Sequence, residues 1–116
     1  MGGKAARRTS SRDSPHVVEQ STDEVRLVHE KTRLGILCAL SVNASMSFAD
    51  LKKTLKSTDG NLSVHARKLE QAKYIVVEKS FHDRVPRTTY SLSEKGREAL
   101  RRYFDYMEAI IAATRH

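Results

Sequence analysis

A chain of 116 residues carrying 21 Lys and Arg against 14 Asp and Glu has the length for one hydrophobic core and, at a net charge of +7, a surface suited to a polyanion: nucleic acid or an anionic membrane face. No run approaches the roughly 18 apolar residues of a bilayer helix, the basic start at Lys4, Arg7 and Arg8 continues into polar residues unlike a secretory leader, and Ala6 stands where a myristoylation signal needs Ser or Thr. The one cysteine, Cys38, excludes an intramolecular disulfide, fits a reducing cytoplasm and lies in the apolar run 34–40, where packing is expected in preference to redox sensing.

Residues 1–20 are rich in Ser, Gly and Arg and show no apolar period before Val17 and Val18, which predicts a disordered basic tail. Its Lys4, Arg7, Arg8 and Arg12 would also suit an arm laid along a DNA backbone or minor groove. The folded domain is expected over 21–116. From about Ser21 the positions Val25, Val28, Leu34, Leu37 and Leu40 recur at helical spacing, as one long helix or as two broken near Lys31 and Thr32. Gly35 inside that run costs about 1 kcal/mol relative to Ala and predicts close approach by another backbone. Asn43–Ser45 is a stop, after which Ser47 and Asp50 make a capping box for a short helix with Phe48, Leu51 and Leu55 on one side.

A second helix follows at once. Thr58 or Asp59 can cap it, and at about 100° per residue Leu62, Ala66 and Leu69 form a narrow apolar stripe. The opposite side carries Gly60, Val64, Arg67 and Gln71, with Asn61, Ser63 and Lys68 on its shoulders. A polar outer face is what any small domain turns to water. These residue types also match duplex DNA: Arg and Lys take phosphates or guanine edges, Asn and Gln pair with adenine, and a small aliphatic touches a thymine methyl. Two short helices joined this tightly make a helix-turn-helix.

Tyr74–Phe81 and Thr88–Leu92 are rich in β-branched and aromatic residues, and the polar, basic stretch His82–Arg87 between them predicts a hairpin with a cationic tip, Pro86 lying near the tip or on an edge. Standing behind a helix-turn-helix, the hairpin reads as a wing. Ser93 then starts a last helix over 94–113, about 30 Å long, striped by Leu100, Tyr103, Phe104, Met107, Ile110 and Ile111. This stripe can pack on the chain's own first helix, pair with a second copy, or do both.

Three segments in this order resemble the small winged-helix transcriptional regulators related to the ArsR and MarR types: His29–Leu37 as the approach helix, Thr58–His65 as the recognition helix and Lys79–Thr88 as the wing, with Tyr90–Arg97 opening the final helix. The resemblance spans roughly Val25 to Tyr106. It implies an α+β, mostly helical fold, a winged helix-turn-helix with a two- or three-stranded wing and N- and C-terminal dimerisation helices. It further implies a cytoplasmic homodimer that binds double-stranded DNA as a transcriptional regulator, a repressor by expectation. By position it assigns Thr58, Asn61, Ser63, Val64, Arg67 and Lys68 as helix contacts to DNA, and Lys79, Arg84 and Arg87 as wing contacts. Val25, Val28, Tyr103, Met107, Ile110 and Ile111 fall on the dimerisation helices. The chain departs from the family at Lys73, where a helix-ending Gly is usual, at Ala66, where a larger aliphatic is common, and at Val85, where polar residues are more frequent.

No catalytic constellation is present: there is no Gly-rich phosphate loop, nucleophile elbow or Cys-x-x-Cys pair. Cys38 and the scattered His16, His29, His65, His82 and His116 lack metal-ligand spacing, so neither metal nor cofactor is expected. His65, at the edge of the core stripe, is expected to be a structural imidazole. No polar cluster points between the dimerisation helices, so no small-molecule effector is assigned. The alternative from another class is a winged-helix module that docks on protein or RNA.

Overall fold

The computed structural model describes residues 22–115, so the tail expected over 1–20 lies outside the described residues. In chain order the elements are α1 (22–28), α2 (Lys31–Val42), β1 (Met46–Ser47), α3 (Phe48–Leu55), α4 (Asp59–Gln71), β2 (Ile75–His82), β3 (Val85–Leu92) and α5 (Glu94–Ala113). The first helical stretch is therefore two helices. The chain turns at 29–30, and the Glu30 carboxylate caps α2 by accepting the Arg33 amide at 2.8 Å.

Caps set the remaining helix starts. Asp50 N donates to Ser47 Oγ at 3.0 Å and Ser47 N donates back to Asp50 Oδ2 at 3.4 Å, closing the predicted box. Thr58 Oγ1 accepts the Asn61 amide at 3.1 Å, and Ser93 Oγ accepts the Gly96 amide at 2.9 Å. At its far end α4 closes with Lys73 in the left-handed region at φ 69°. Tyr74 N donates to Leu69 O and Lys73 N to Glu70 O, both at 2.9 Å, a Schellman arrangement with Lys where Gly is usual.

Val28, Ile36, Leu37, Leu40, Leu51, Leu62 and Leu69 are fully enclosed, and α5 adds Ala99, Leu100 and Tyr103 to the same core. Two of the residues expected on the dimerisation helices belong to this core. Val28 is 0% and Tyr103 5% exposed, so both side chains are spent inside their own chain. Gly35 also differs from expectation: a Cβ there would meet Leu55 Cδ2 at 2.8 Å, so a side chain and not a backbone fills its space. The close backbone approach is at Gly96, where a Cβ would lie 2.0 Å from the Tyr74 carbonyl oxygen. Ser93 locks that joint, its amide donating to Tyr74 O at 3.1 Å and its hydroxyl to Lys73 O at 2.6 Å.

The sheet is antiparallel and three-stranded, in the order β1-β3-β2. Its hairpin is tighter than predicted. His82 pairs with Val85, leaving only Asp83 and Arg84 in the turn, with φ of 52° and 68°. Positive φ at both positions is the I′ geometry whose twist matches the strands. Val85, Pro86 and Arg87 consequently belong to β3. Pro86 fits there because it pairs with Phe81, one step from the turn's closing pair, at a site where the alternating ladder needs no N–H toward β2. On its other side β1 reaches only Thr89 and Tyr90.

Candidate nucleic-acid interface

Helix α4 has four distinct sides. Leu62, Ala66 and Leu69 are buried. Toward α2 the helix is tied by polar contacts: Asn61 Nδ2 donates to Thr32 Oγ1 at 2.9 Å and to Ser57 Oγ at 3.2 Å, and His65 meets Arg33. Toward the hairpin lie Ser63, Arg67 and Glu70. Gly60, Val64, Lys68 and Gln71 complete the exposed outer face, where Val64 is 53% exposed.

Between α4 and the hairpin runs a groove of about 160 Å³, lined by Ser63, Ala66, Arg67 and Glu70 on one wall and by Val77, Lys79, Thr88 and Tyr90 on the other. Predicted contacts Ser63, Arg67 and Lys79 are thus brought together in one depression. Burial, reinforced by the Glu70 carboxylate, raises the Tyr90 phenol above its usual range. Arg84 occupies the turn itself, and Arg87, paired with Ser80, points to the opposite face of the ribbon from Lys79. Thr58 and Asn61, although exposed, direct polar atoms to capping and to the tie with α2.

One buried charge was not visible in the pattern of residues. Arg33 is 9% exposed; its Nε donates to Leu27 O at 2.5 Å, its Nη2 to Arg26 O at 3.4 Å and its Nη1 to His65 Nδ1 at 2.9 Å. Because a guanidinium only donates, His65 Nδ1 accepts and carries its proton on Nε2. Glu30 Oε1 lies 3.4 Å from the same Nδ1. His65 is therefore a structural group that fixes the roll of α4.

On α5 the apolar stripe divides. Met107, like Val25 of α1, is partly buried against the core, whereas Phe104, Ile110 and Ile111 are 45%, 41% and 44% exposed. Phe104 completes this exposed set alongside the two isoleucines. A bidentate pair from Arg102 to Glu24, at 2.8 and 2.9 Å, straps α5 to α1. Among the described residues no helix is long and apolar enough to cross a membrane, and no group of three or more His, Cys, Asp or Glu could hold a metal ion.

A helix-turn-helix (α3 and α4) followed by a β-hairpin defines a winged helix. Residues 32–111 match the family model described as winged helix DNA-binding domain, and the chain belongs to that family. The chain is 32% identical over 79 residues to the uncharacterized protein MJ0432 of Methanocaldococcus jannaschii, covering 68% of this chain and 86% of that one. The solved structure of a transcriptional regulator homologue from Pyrococcus horikoshii OT3 superposes with a TM-score of 0.73 at 28% identity, over 82% of this chain and 97% of its own. A protein of Enterococcus faecalis V583, described as a transcriptional regulator of the MarR family, shares the fold with a TM-score of 0.66 at 16% identity, over 93% and 91% of the two chains.

Proposed function

We propose that two copies of this chain form a homodimeric transcriptional regulator that binds a short inverted repeat in double-stranded DNA and acts as a repressor by occupying a promoter. Helix α4 enters the major groove, presenting Ser63, Val64, Arg67 and Lys68 to base edges and phosphates, with Thr58 and Asn61 near the backbone at its start. Lys79, Arg84 and Arg87 of the wing contact backbone or minor groove. The observation that carries this reading is the groove shared by α4 and the hairpin, with Arg67 on one wall and Lys79 on the other. With 13 residues, α4 is about 20 Å long, enough to cross a major groove about 12 Å wide. Exposed Phe104, Ile110 and Ile111 on α5 support pairing of copies, and half-sites then lie about 10–10.5 base pairs apart.

The test is a gel shift with random duplex, structured RNA and an unlabelled competitor. Duplex should be preferred, with affinity falling by about 0.9 log unit per log unit of salt for each neutralised phosphate. Arg67→Ala and Arg84→Ala should each weaken binding about tenfold with unchanged circular dichroism. Parental affinity in both variants would overturn the assigned contacts. Equal affinity for all nucleic acids, or none for duplex, would point to a protein- or RNA-docking module.

A further inference from the structure

The wing ends in apolar side chains that do nothing for the fold. Phe81 is 76% and Val85 61% exposed, so neither contributes a buried contact that would explain an aromatic and a β-branched residue at the tip of a basic hairpin. Register puts Phe81 opposite Pro86, and with them on the same face lie the pairs Lys79–Thr88 and Val77–Tyr90. That is the face lining the groove against α4. Phe81 and Pro86 therefore stand at the open end of this groove, one pleat beyond Lys79 and about 7 Å further from the body.

The two side chains form a blade. A non-hydrogen-bonded antiparallel pair brings its Cα atoms to about 4.5 Å, close enough for the phenyl and pyrrolidine rings to lean on each other. Proline has no rotamer freedom to lose and the I′ turn fixes the ribbon beneath it, so the blade is preorganised. Its surroundings are cationic: Lys79 on the same face, Arg84 in the turn, Arg87 on the reverse face. An apolar edge framed by cations suits a slot that has phosphates on both rims and stacked bases at its floor. The minor groove, about 6 Å wide, is such a slot.

We infer that Phe81, backed by Pro86, inserts into the DNA minor groove as an apolar wedge that partly unstacks a base step and bends the duplex, while Lys79, Arg84 and Arg87 hold the flanking phosphates. This deepens the DNA-binding reading and rests on it. Part of the site preference then comes from deformability: pyrimidine–purine steps, which open most easily, belong under the wing although no side chain there reads a base edge.

The test uses the full chain and a duplex of about 30 base pairs, roughly three helical turns, selected from a random pool by retention on the parent protein and labelled at its ends for energy transfer. Parent protein should shorten the end-to-end distance. Phe81→Ala should abolish the bend and weaken binding about tenfold, in line with losing the burial of one aromatic ring, while keeping the parental salt slope. Phe81→Leu, which preserves an apolar wedge, should keep most of the bend. Arg84→Ala should do the reverse of Phe81→Ala, lowering the salt slope by about one unit with the bend intact. Because Phe81 is exposed, its variants should match the parent in circular dichroism. Parental bending and affinity in Phe81→Ala would overturn the wedge and leave the DNA-binding reading standing. Failure of the parent to retain any duplex would overturn both.

Discussion

Nη1 of Arg33 and Nδ1 of His65 meet at 2.9 Å, and through this bond the start of α2 governs how α4 is rolled about its axis. The same guanidinium takes up the carbonyls of Leu27 and Arg26 at the end of α1, where a cation also complements the helix dipole. Arg33→Met keeps the length of the side chain but strands these acceptors in the interior. It should cost about 2–3 kcal/mol in urea unfolding. A loss below about 0.5 kcal/mol, the range of ordinary surface changes, would show that the buried charge is incidental.

Lys73 holds the left-handed exit of α4 at φ 69°. An L side chain in that region costs about 1–2 kcal/mol, of which glycine returns part through its freer unfolded chain. Lys73→Gly should therefore stabilise by about 0.5–1 kcal/mol, seen as a melting temperature a few degrees higher. An unchanged or lower melting temperature would mean that the exit is not strained.

The carboxylate of Asp83 stands at the wing tip with its side chain 91% exposed, 3.7 Å from His82 Nε2. It places negative charge where a phosphate rim is proposed to approach. Asn tolerates positive φ as Asp does, so Asp83→Asn removes the charge without disturbing the turn. Affinity for random duplex in fluorescence anisotropy should rise about threefold at low salt, and the gain should shrink as the Debye length shortens. Equal or weaker binding at every salt concentration would place the tip away from the backbone.

Burial raises the Cys38 thiol and the Tyr74, Tyr90 and Tyr103 phenols above their ordinary values of 9.0 and 10.0. Near Tyr74 the Glu24 carboxylate adds to the effect and Arg102 opposes it. Folded protein then binds more protons than unfolded protein once the unfolded groups begin to ionise, so stability falls as pH rises. The midpoint of urea unfolding should be flat to about pH 8 and decline from about pH 9 upward. A midpoint that holds to pH 11 would contradict the burial of these groups. Below pH 8 the Cys38 thiolate is scarce, and alkylation should be slower in the native chain than in urea.

How much of this was legible depends on how local the cause is. Ser47, Thr58 and Ser93 announce helix starts because each bonds a backbone amide three residues on. Leu62, Ala66 and Leu69 announce a buried face by spacing alone. Arg33 gives no such signal: a cation early in a helix resembles a surface residue, and its partner His65 is remote in sequence. Pro86 lies near the tip as its missing N–H requires, but that it stands within a strand depends on ladder parity, which is set by the turn. Along α5 the same periodicity runs through Tyr103, which is buried, and Ile110, which is exposed. Only the extent of the body beneath the helix separates them. Gly96 is one glycine among five, and its necessity appears only when the Tyr74 carbonyl is beside it.

With no slack between Gly96 and Tyr74, the rod formed by α5 is welded to the head that carries the wing. In the proposed dimer the span between heads would therefore follow how one rod is set against the other, since each head moves with its own rod.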